Sequence, residues 1–221
     1  MTIEFDKDGS PIIPVRKTEI SQKLNELIEK AMEYNSEDYK KALKELEEFQ
    51  RIFPIEKIKD LTLEKYCHGF KNSFCWWVEE GTIDVVHTGH DGFNRQYVIW
   101  FYYKEKQYYK KECVRKIKID EETAKVKLED IKIAIISVIN LAKDGKFDEI
   151  EEERELWHQV KAKIVYLYFP EKTLPILSKD HMKSICDDFG LIHYGDKRHL
   201  KTSHELMSTL KQIDPFKTGT H

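Results

Sequence analysis

The sequence has few of the residues that break or staple a chain. Glycine (9) and proline (6) are scarce among its 221 residues, which excludes collagen-like and low-complexity architectures and leaves little room for long loops. Only four cysteines occur, Cys67, Cys75, Cys113 and Cys186, and none forms a CxxC pair. A disulfide framework is therefore excluded, and dispersed thiols of this kind read as reduced, mostly buried residues of a cytoplasmic protein. Long apolar runs are missing too. The longest stretch, Ile131 to Ala142, is interrupted by Lys132 and Asn140 and falls far short of the ~20 residues a membrane span needs. The opening Met-Thr-Ile-Glu-Phe-Asp-Lys-Asp has no apolar core and is not expected to act as a signal peptide.

Several chemistries are missing with their motifs. No GxxxxGK[ST] is present, so no P-loop is expected in this chain, and GxGxxG, GxSxG and HExxH do not occur either. A metal-dependent nuclease would cluster carboxylates and lysine at strand ends. The carboxylates near the expected sheet, Asp84, Asp91 and Glu105, lack that spacing. The chain is expected to be non-catalytic and to need no cofactor.

Charge and aromatics, by contrast, are abundant. Charged residues make up 35% of the chain, against about 25% in an average domain. The 11 Phe, 11 Tyr and 4 Trp exclude intrinsic disorder. The formal charge is only −3, but it is unevenly spread. Tyr97 to Lys118 holds seven basic residues against two acidic ones, together with seven aromatics. Asp144 to Glu155 reverses the balance, with seven acids against Lys146 and Arg154.

The periodicities predict an α+β fold: a three-stranded or slightly larger antiparallel sheet flanked by N-terminal and C-terminal helices. Residues 1–17, with Gly9, Pro11 and Pro14, read as an irregular lead-in. Residues 18–213 read as a single domain, helical over 18–81, a β-meander over 82–119 and helical over 120–213. Residues 214–221 read as the start of a linker. In the first helical part, Ile20 to Met32 follows a 3.6-residue period. Ser36 opens a second helix that buries Ala42, Leu43, Leu46 and Phe49 and stops at Pro54. Pro54 opens a short helix, Thr62 caps another, and Asn72 or Ser73 caps a third that ends at Gly81.

From Thr82 the period becomes two. Strands are expected over 82–88, 93–103 and 108–119, with turns at Gly89-His90-Asp91-Gly92 and at 104–107. The later helices run from Glu121 to Gly145 and from Ser178 to Gly190. A last one is opened by a Thr202/Glu205 capping box.

Two constellations carry possible chemistry. Cys67, His68, Cys75, His87 and His90 hold ligand atoms for a metal, but zinc takes ligands from tight pairs, and adjacent Cys67-His68 point ~100° apart on a helix. The ordinary reading is two core thiols and exposed turn histidines. The second constellation is the aromatic-basic segment. Trp100 and Tyr102 alternate with Ile99, Phe101 and Tyr103, so aromatics fall on both faces of one strand. One face must be core; the aromatics on the other can stack on bases, with lysines neutralising phosphate. The ordinary alternative is a well-packed sheet with outward lysines. On the nucleic-acid reading, Arg95, Lys104, Lys106, Lys110, Lys111, Arg115 and Lys116 contact phosphates. Trp100 and Tyr102, with His87 and His90, form the base-stacking surface.

Two long blocks bear a resemblance to a known family. Leu61-Thr62-Leu63-Glu64-Lys65-Tyr66 is followed by Asn72-Ser73-Phe74-Cys75-Trp76-Trp77-Val78-Glu79, and later comes Lys161 to Pro170 with Leu174-Pro175-Ile176 and Ser178. Together they resemble blocks of the N-terminal domains of McrB-like restriction proteins, over about residues 50–190. The resemblance implies a DNA-recognition domain, often for modified DNA. An AAA+ motor that hydrolyses GTP or ATP would follow in the same chain and recruit an McrC-type endonuclease. It implies a defence role, no membrane partner, and a core position for Phe74, Trp77, Tyr166 and Phe169. Members of the family usually carry a Gly/Ser-rich run after the tryptophan helix. Here Thr82 to Asp91 replaces it, so a methyl-cytosine specificity does not carry over. A protein-interaction module that docks a partner subunit or motor ring is the alternative, and a small-molecule sensor using the aromatic cluster is a third.

Overall fold

The computed structural model describes residues 4–5, 11–12, 36–86, 98–112, 115–195 and 198–211. The fold is mixed α+β, a three-stranded antiparallel sheet with helices before and after it. The helix expected over residues 18–35 and the strand expected over 93–97 lie outside the described residues. The lead-in is not wholly irregular: β1 (Glu4–Phe5) pairs antiparallel with β2 (Pro11–Ile12).

Helix α1 (Ser36–Ile52) has Glu37 and Asp38 in its first turn and Arg51 in its last, each sign matching the helix dipole. Leu46 and Phe49 enter the core, with Phe53 just beyond the helix end. Leu43, expected to be buried with them, is exposed; it sits just beyond the first turns, where residues 37–41 are all exposed. Pro54 then starts a 3₁₀ helix, Ile55–Asp60. The Thr62 side chain caps α2 (Leu63–Tyr66), and the Ser73 side chain caps α3 (Phe74–Trp76). The chain widens into a π-type turn at Trp77–Gly81. Trp76 and Trp77 therefore meet edge to face at the core rim, 5.5 Å apart. Trp77 and Tyr166 are half-buried there rather than fully inside.

Residues 82–86 form a turn, not the expected first strand of the meander. The alternation of Ile83 and Val85 with Asp84 and Val86 is real, but the local main chain bonds to itself. Val85 and Val86 N–H both donate to the Thr82 carbonyl, at 3.2 and 3.1 Å. The strands are β3 (Ile99–Tyr102), β4 (Gln107–Glu112) and β5 (Arg115–Ile119), in that spatial order. The single strand expected over 108–119 is thus two, with Glu112 paired to Arg115. Cys113-Val114 carries no Asn-Gly or Asp-Gly turn signal, so the hairpin was hidden by an unbroken alternation. On its other side β3 is flanked by His68-Gly69: the Phe101 N–H donates to the His68 carbonyl at 2.9 Å. Gly69 sits at φ +107°, where a Cβ would lie 2.0 Å from the Phe101 oxygen.

Helix α4 (Glu121–Lys143), capped by Asp120, packs on β3 and β4 and buries Leu128, Ile131, Ile135, Val138 and Ile139. Helices α5 (Phe147–Glu152) and α6 (His158–Tyr168) complete the main core. Rings from both family-like blocks meet there. Phe49 lies 5.8 Å from Phe74 and 5.4 Å from Tyr168, and the Tyr168 hydroxyl donates to the Phe53 carbonyl at 2.7 Å. Helices α7 (Lys179–Phe189) and α8 (His199–Leu210) enclose a second, smaller core around Met182, Cys186 and Leu206. α7 is capped by Ser178 and closed by Gly190 at φ +64°, as expected. α8 starts three residues before the expected capping box. Thr202 is inside it, its hydroxyl donating to the Arg198 carbonyl at 2.9 Å. Among the described residues no helix is long and apolar enough to cross a membrane.

Candidate nucleic-acid interface

Strand register assigns every sheet residue to a face, because residues directly opposite one another project to the same side. Trp100, Tyr109 and Lys118 form one row across β3, β4 and β5. Tyr102 pairs with Gln107 on the same side, and Lys116 projects there as well. The opposite side carries Ile99, Lys110 and Ile117 in one row and Phe101, Tyr108 and Ile119 in the next. That second face is the core face: Ile99, Tyr108 and Ile119 are buried in the main cluster, and Phe101 stacks on Phe70 at 4.8 Å.

The first face points outward and is built from rings and ammonium groups. Trp100 stacks on Tyr109 with centroids 5.9 Å apart and planes 15° from parallel. Lys116 Nζ lies 3.7 Å from the Tyr109 centroid and 4.7 Å from that of Tyr102, a geometry that attracts a cation to the ring face. Tyr102 is 38% exposed, whereas Tyr109 is covered by its neighbours. Glu105, on the turn between β3 and β4, accepts the Tyr109 hydroxyl and pairs with Lys118 Nζ at 3.2 Å. Those two contacts hold the Glu105 carboxyl below its usual range. Glu105 in turn raises the Lys118 ammonium.

The face brings together only part of the expected set. Trp100, Tyr102 and Lys116 share it; the side chain of Lys111 lies outside the described residues, and its main chain pairs with Lys116. Lys104 and Lys106 are exposed on the turn after Tyr102. Lys110 and Arg115 fall on the other side of the sheet, with Lys110 half-buried in the Ile99–Ile117 row; the unforeseen hairpin between β4 and β5 reverses which positions share a face. Tyr103, expected to line the core face, is exposed in the turn and meets Phe101 edge to face at 5.2 Å. Arg95, His87 and His90 lie outside the described residues. Tyr109 and Lys118 were not singled out as site residues, and the signal that finds them is register, since both lie in the Trp100 row.

A second cluster surrounds the 82–86 turn. Lys163, on α6, is fully buried, and its amine donates to the carbonyls of Val86 at 2.8 Å and Thr82 at 3.4 Å. Burial pushes this amine down to about 7, against the opposing pull of Glu79 and Glu45. Glu45 accepts the Asp84 N–H at 3.2 Å, and Lys41 pairs with Asp84 at 2.5 Å. Burial, and then the neighbouring Asp84, raises Glu45 to about 7. Beside this turn, Glu79 lies 3.0 Å from His68 Nε2. Burial lowers the imidazole, but Glu79 and Glu80 outweigh that and raise it. Cys67 and Cys75 are buried, and burial raises both thiols. Among the described residues no group of three or more His, Cys, Asp or Glu side chains is placed to hold a metal ion.

Comparison with protein-family models, with curated proteins and with solved structures finds no match for this chain.

Proposed function

We propose that the chain is a non-catalytic DNA-recognition domain, acting in the cytoplasm as the target-reading part of a McrB-like restriction protein. The observation that carries this reading is the outer face of β3–β5, where Trp100 stacks on Tyr109, Lys116 lies over Tyr102 and Tyr109, and Lys118 faces Tyr109. Aromatic faces stack on bases and ammonium groups neutralise phosphates. The resemblance of the Leu61–Glu79 and Lys161–Ser178 blocks to McrB-like domains supports the same reading. In it, an AAA+ motor in the same chain and an McrC-type endonuclease supply hydrolysis and cleavage, and this domain needs no cofactor. The test is fluorescence anisotropy with labelled DNA over a salt series. Binding is expected at low salt. Lys116→Glu with Lys118→Glu is expected to weaken it at every sequence and to lower the salt slope by about 0.7–0.9 per lost contact. Unchanged affinity and slope in the folded double variant would remove the reading.

A protein-docking role has its own observation. Val126 and Ile133, seven residues apart on α4, are both well exposed. Val126→Asp with Ile133→Asp would abolish partner capture and leave DNA binding intact if that surface carries the function.

A further inference from the structure

The outer sheet face discriminates between two forms of nucleic acid. We propose that it takes unpaired nucleotides, single-stranded DNA, in preference to a duplex; this rests on the DNA-recognition reading and narrows it.

A protein that reads a duplex presents arginine or lysine to guanine edges and asparagine or glutamine to adenine edges in a groove. The described outer-face positions are Trp100, Tyr102, Gln107, Tyr109, Lys116 and Lys118. Gln107 supplies the amide of this set, and its Nε2 is held by main-chain carbonyls, Ile119 at 2.5 Å and Tyr108 at 3.1 Å. The Tyr109 hydroxyl is held by Glu105. The Gln107 amide and the Tyr109 hydroxyl are thus already engaged inside the sheet. What the face offers is ring surface and ammonium charge, the chemistry that binds single strands with little regard to sequence.

Spacing points the same way. Trp100 and Tyr102 are two residues apart on one strand, which separates them by roughly 6.6 Å. Stacked bases in a duplex rise about 3.4 Å per step along each strand, and their faces are covered by their neighbours. Two rings at about twice that step suit bases splayed apart, one to each ring. Tyr102 is open enough to take the first contact, at 38% exposed.

Charge completes the match. Lys116 and Lys118 line β5, and Lys104 and Lys106 stand exposed on the turn beside Tyr102. Glu105, at the rim, is already neutralised by Lys118. Lys116 spans Tyr109 and Tyr102 with its ammonium over both rings. A phosphate is a stronger partner for an ammonium than a ring face, so the side chain can pass from ring to backbone phosphate as a base arrives on Tyr102.

The experiment is anisotropy titration of the full chain with a labelled oligothymidine of about twelve nucleotides, and with the same strand annealed to its complement, at matched salt. The single strand is expected to bind at least about tenfold more tightly. Tyr102→Ala is expected to weaken single-strand binding about five- to a hundredfold, with duplex binding unchanged and Tyr102→Phe retaining most of the affinity. Lys116→Glu is expected to weaken both. Equal or tighter duplex binding overturns this inference and leaves DNA recognition standing. No binding of either form at low salt overturns both. A single-strand preference that survives both Tyr102→Ala and Lys116→Glu places the site elsewhere and overturns the assignment. Competition by polyglutamate equal to that by oligothymidine shows that charge alone acts, and overturns it too.

Discussion

Lys163→Met is the substitution whose outcome the structure constrains most tightly, because two opposing effects change rank with pH. The Lys163 amine is fully enclosed, 2.8 Å from the Val86 carbonyl and 3.4 Å from that of Thr82. Its burial brings it from the ordinary 10.5 down to about 7, while the unfolded chain keeps an ordinary lysine. Between those two values the unfolded state binds more protons, so wild-type stability rises with pH across that window. The full change is worth about 5 kcal/mol. Below about pH 7 the folded protein carries this whole cost of an enclosed cation. Methionine removes the cost and fills similar space. It also strips the Val86 carbonyl of a donor, a loss of about 1–3 kcal/mol. The Thr82 carbonyl keeps the Val85 and Val86 N–H groups.

The variant is therefore expected to be more stable than wild type by about 2–4 kcal/mol near pH 6, and less stable by about 1–3 kcal/mol near pH 10.5. The two stability curves cross between about pH 8 and pH 10. Urea unfolding of both proteins across that range measures the difference, and groups common to both drop out of it. A difference that does not vary with pH, or a variant weaker at every pH, refutes the reasoning. It would mean that the enclosed amine stays charged and is stabilised by its partners.

Two further outcomes follow from the same region and from the sheet edge. Glu45→Gln keeps an acceptor for the Asp84 N–H but cannot titrate; since Glu45 is raised from 4.5 to about 7, the folded protein binds the extra proton in that window, and wild-type stability falls as pH rises through it. The variant is expected to lose that part of the slope in thermal melts, and an unchanged slope would show that Glu45 titrates normally. Gly69→Ala would place a Cβ 2.0 Å from the Phe101 carbonyl at φ +107°; a loss of about 2–5 kcal/mol is expected, and an unchanged melting midpoint would show that His68-Gly69 does not hold the β3 edge.

Fold class was readable because its signals are local. Thr62, Ser73 and Ser178 cap the helices that follow them, and each is a short hydroxyl side chain of the kind that favours the N-cap position. Gly190 closes α7 in the left-handed region, as an unbranched backbone allows. What escaped is non-local. The 82–86 segment has strand-like alternation, but its carbonyls are taken by its own N–H groups and by Lys163, which lies 77 positions beyond Val86. No pattern within the segment reports that partner. The β4–β5 hairpin escaped because its connection lacks a turn signal. That omission matters for the site: in one unbroken strand Lys110 would share a face with Lys116 and Lys118, whereas the hairpin puts it on the core side with Arg115.

The same non-locality explains why net charge says little about this surface. Part of the lysine content is structural. Lys161 donates to the carbonyls of Ile150, Glu151 and Glu153, and Lys172 to those of Ala142 and Lys143. These amines bond carbonyls at the C-terminal ends of α5 and α4. Part of the acid content is structural as well. Asp148 pairs with Lys201, Glu155 with Lys127, and Glu151 accepts the Leu200 N–H. The acidic run 144–155 is thus largely engaged around α5 and α8. Charges of opposite sign that pair with each other add little net field, and any field fades beyond a Debye length of about 8–10 Å. Among the described residues, the potential a passing phosphate meets at the sheet is set by Lys104, Lys106, Lys116 and Lys118 and by Glu105 at the rim. A chain of net charge −3 can present a basic face because its opposite charges are used in different places.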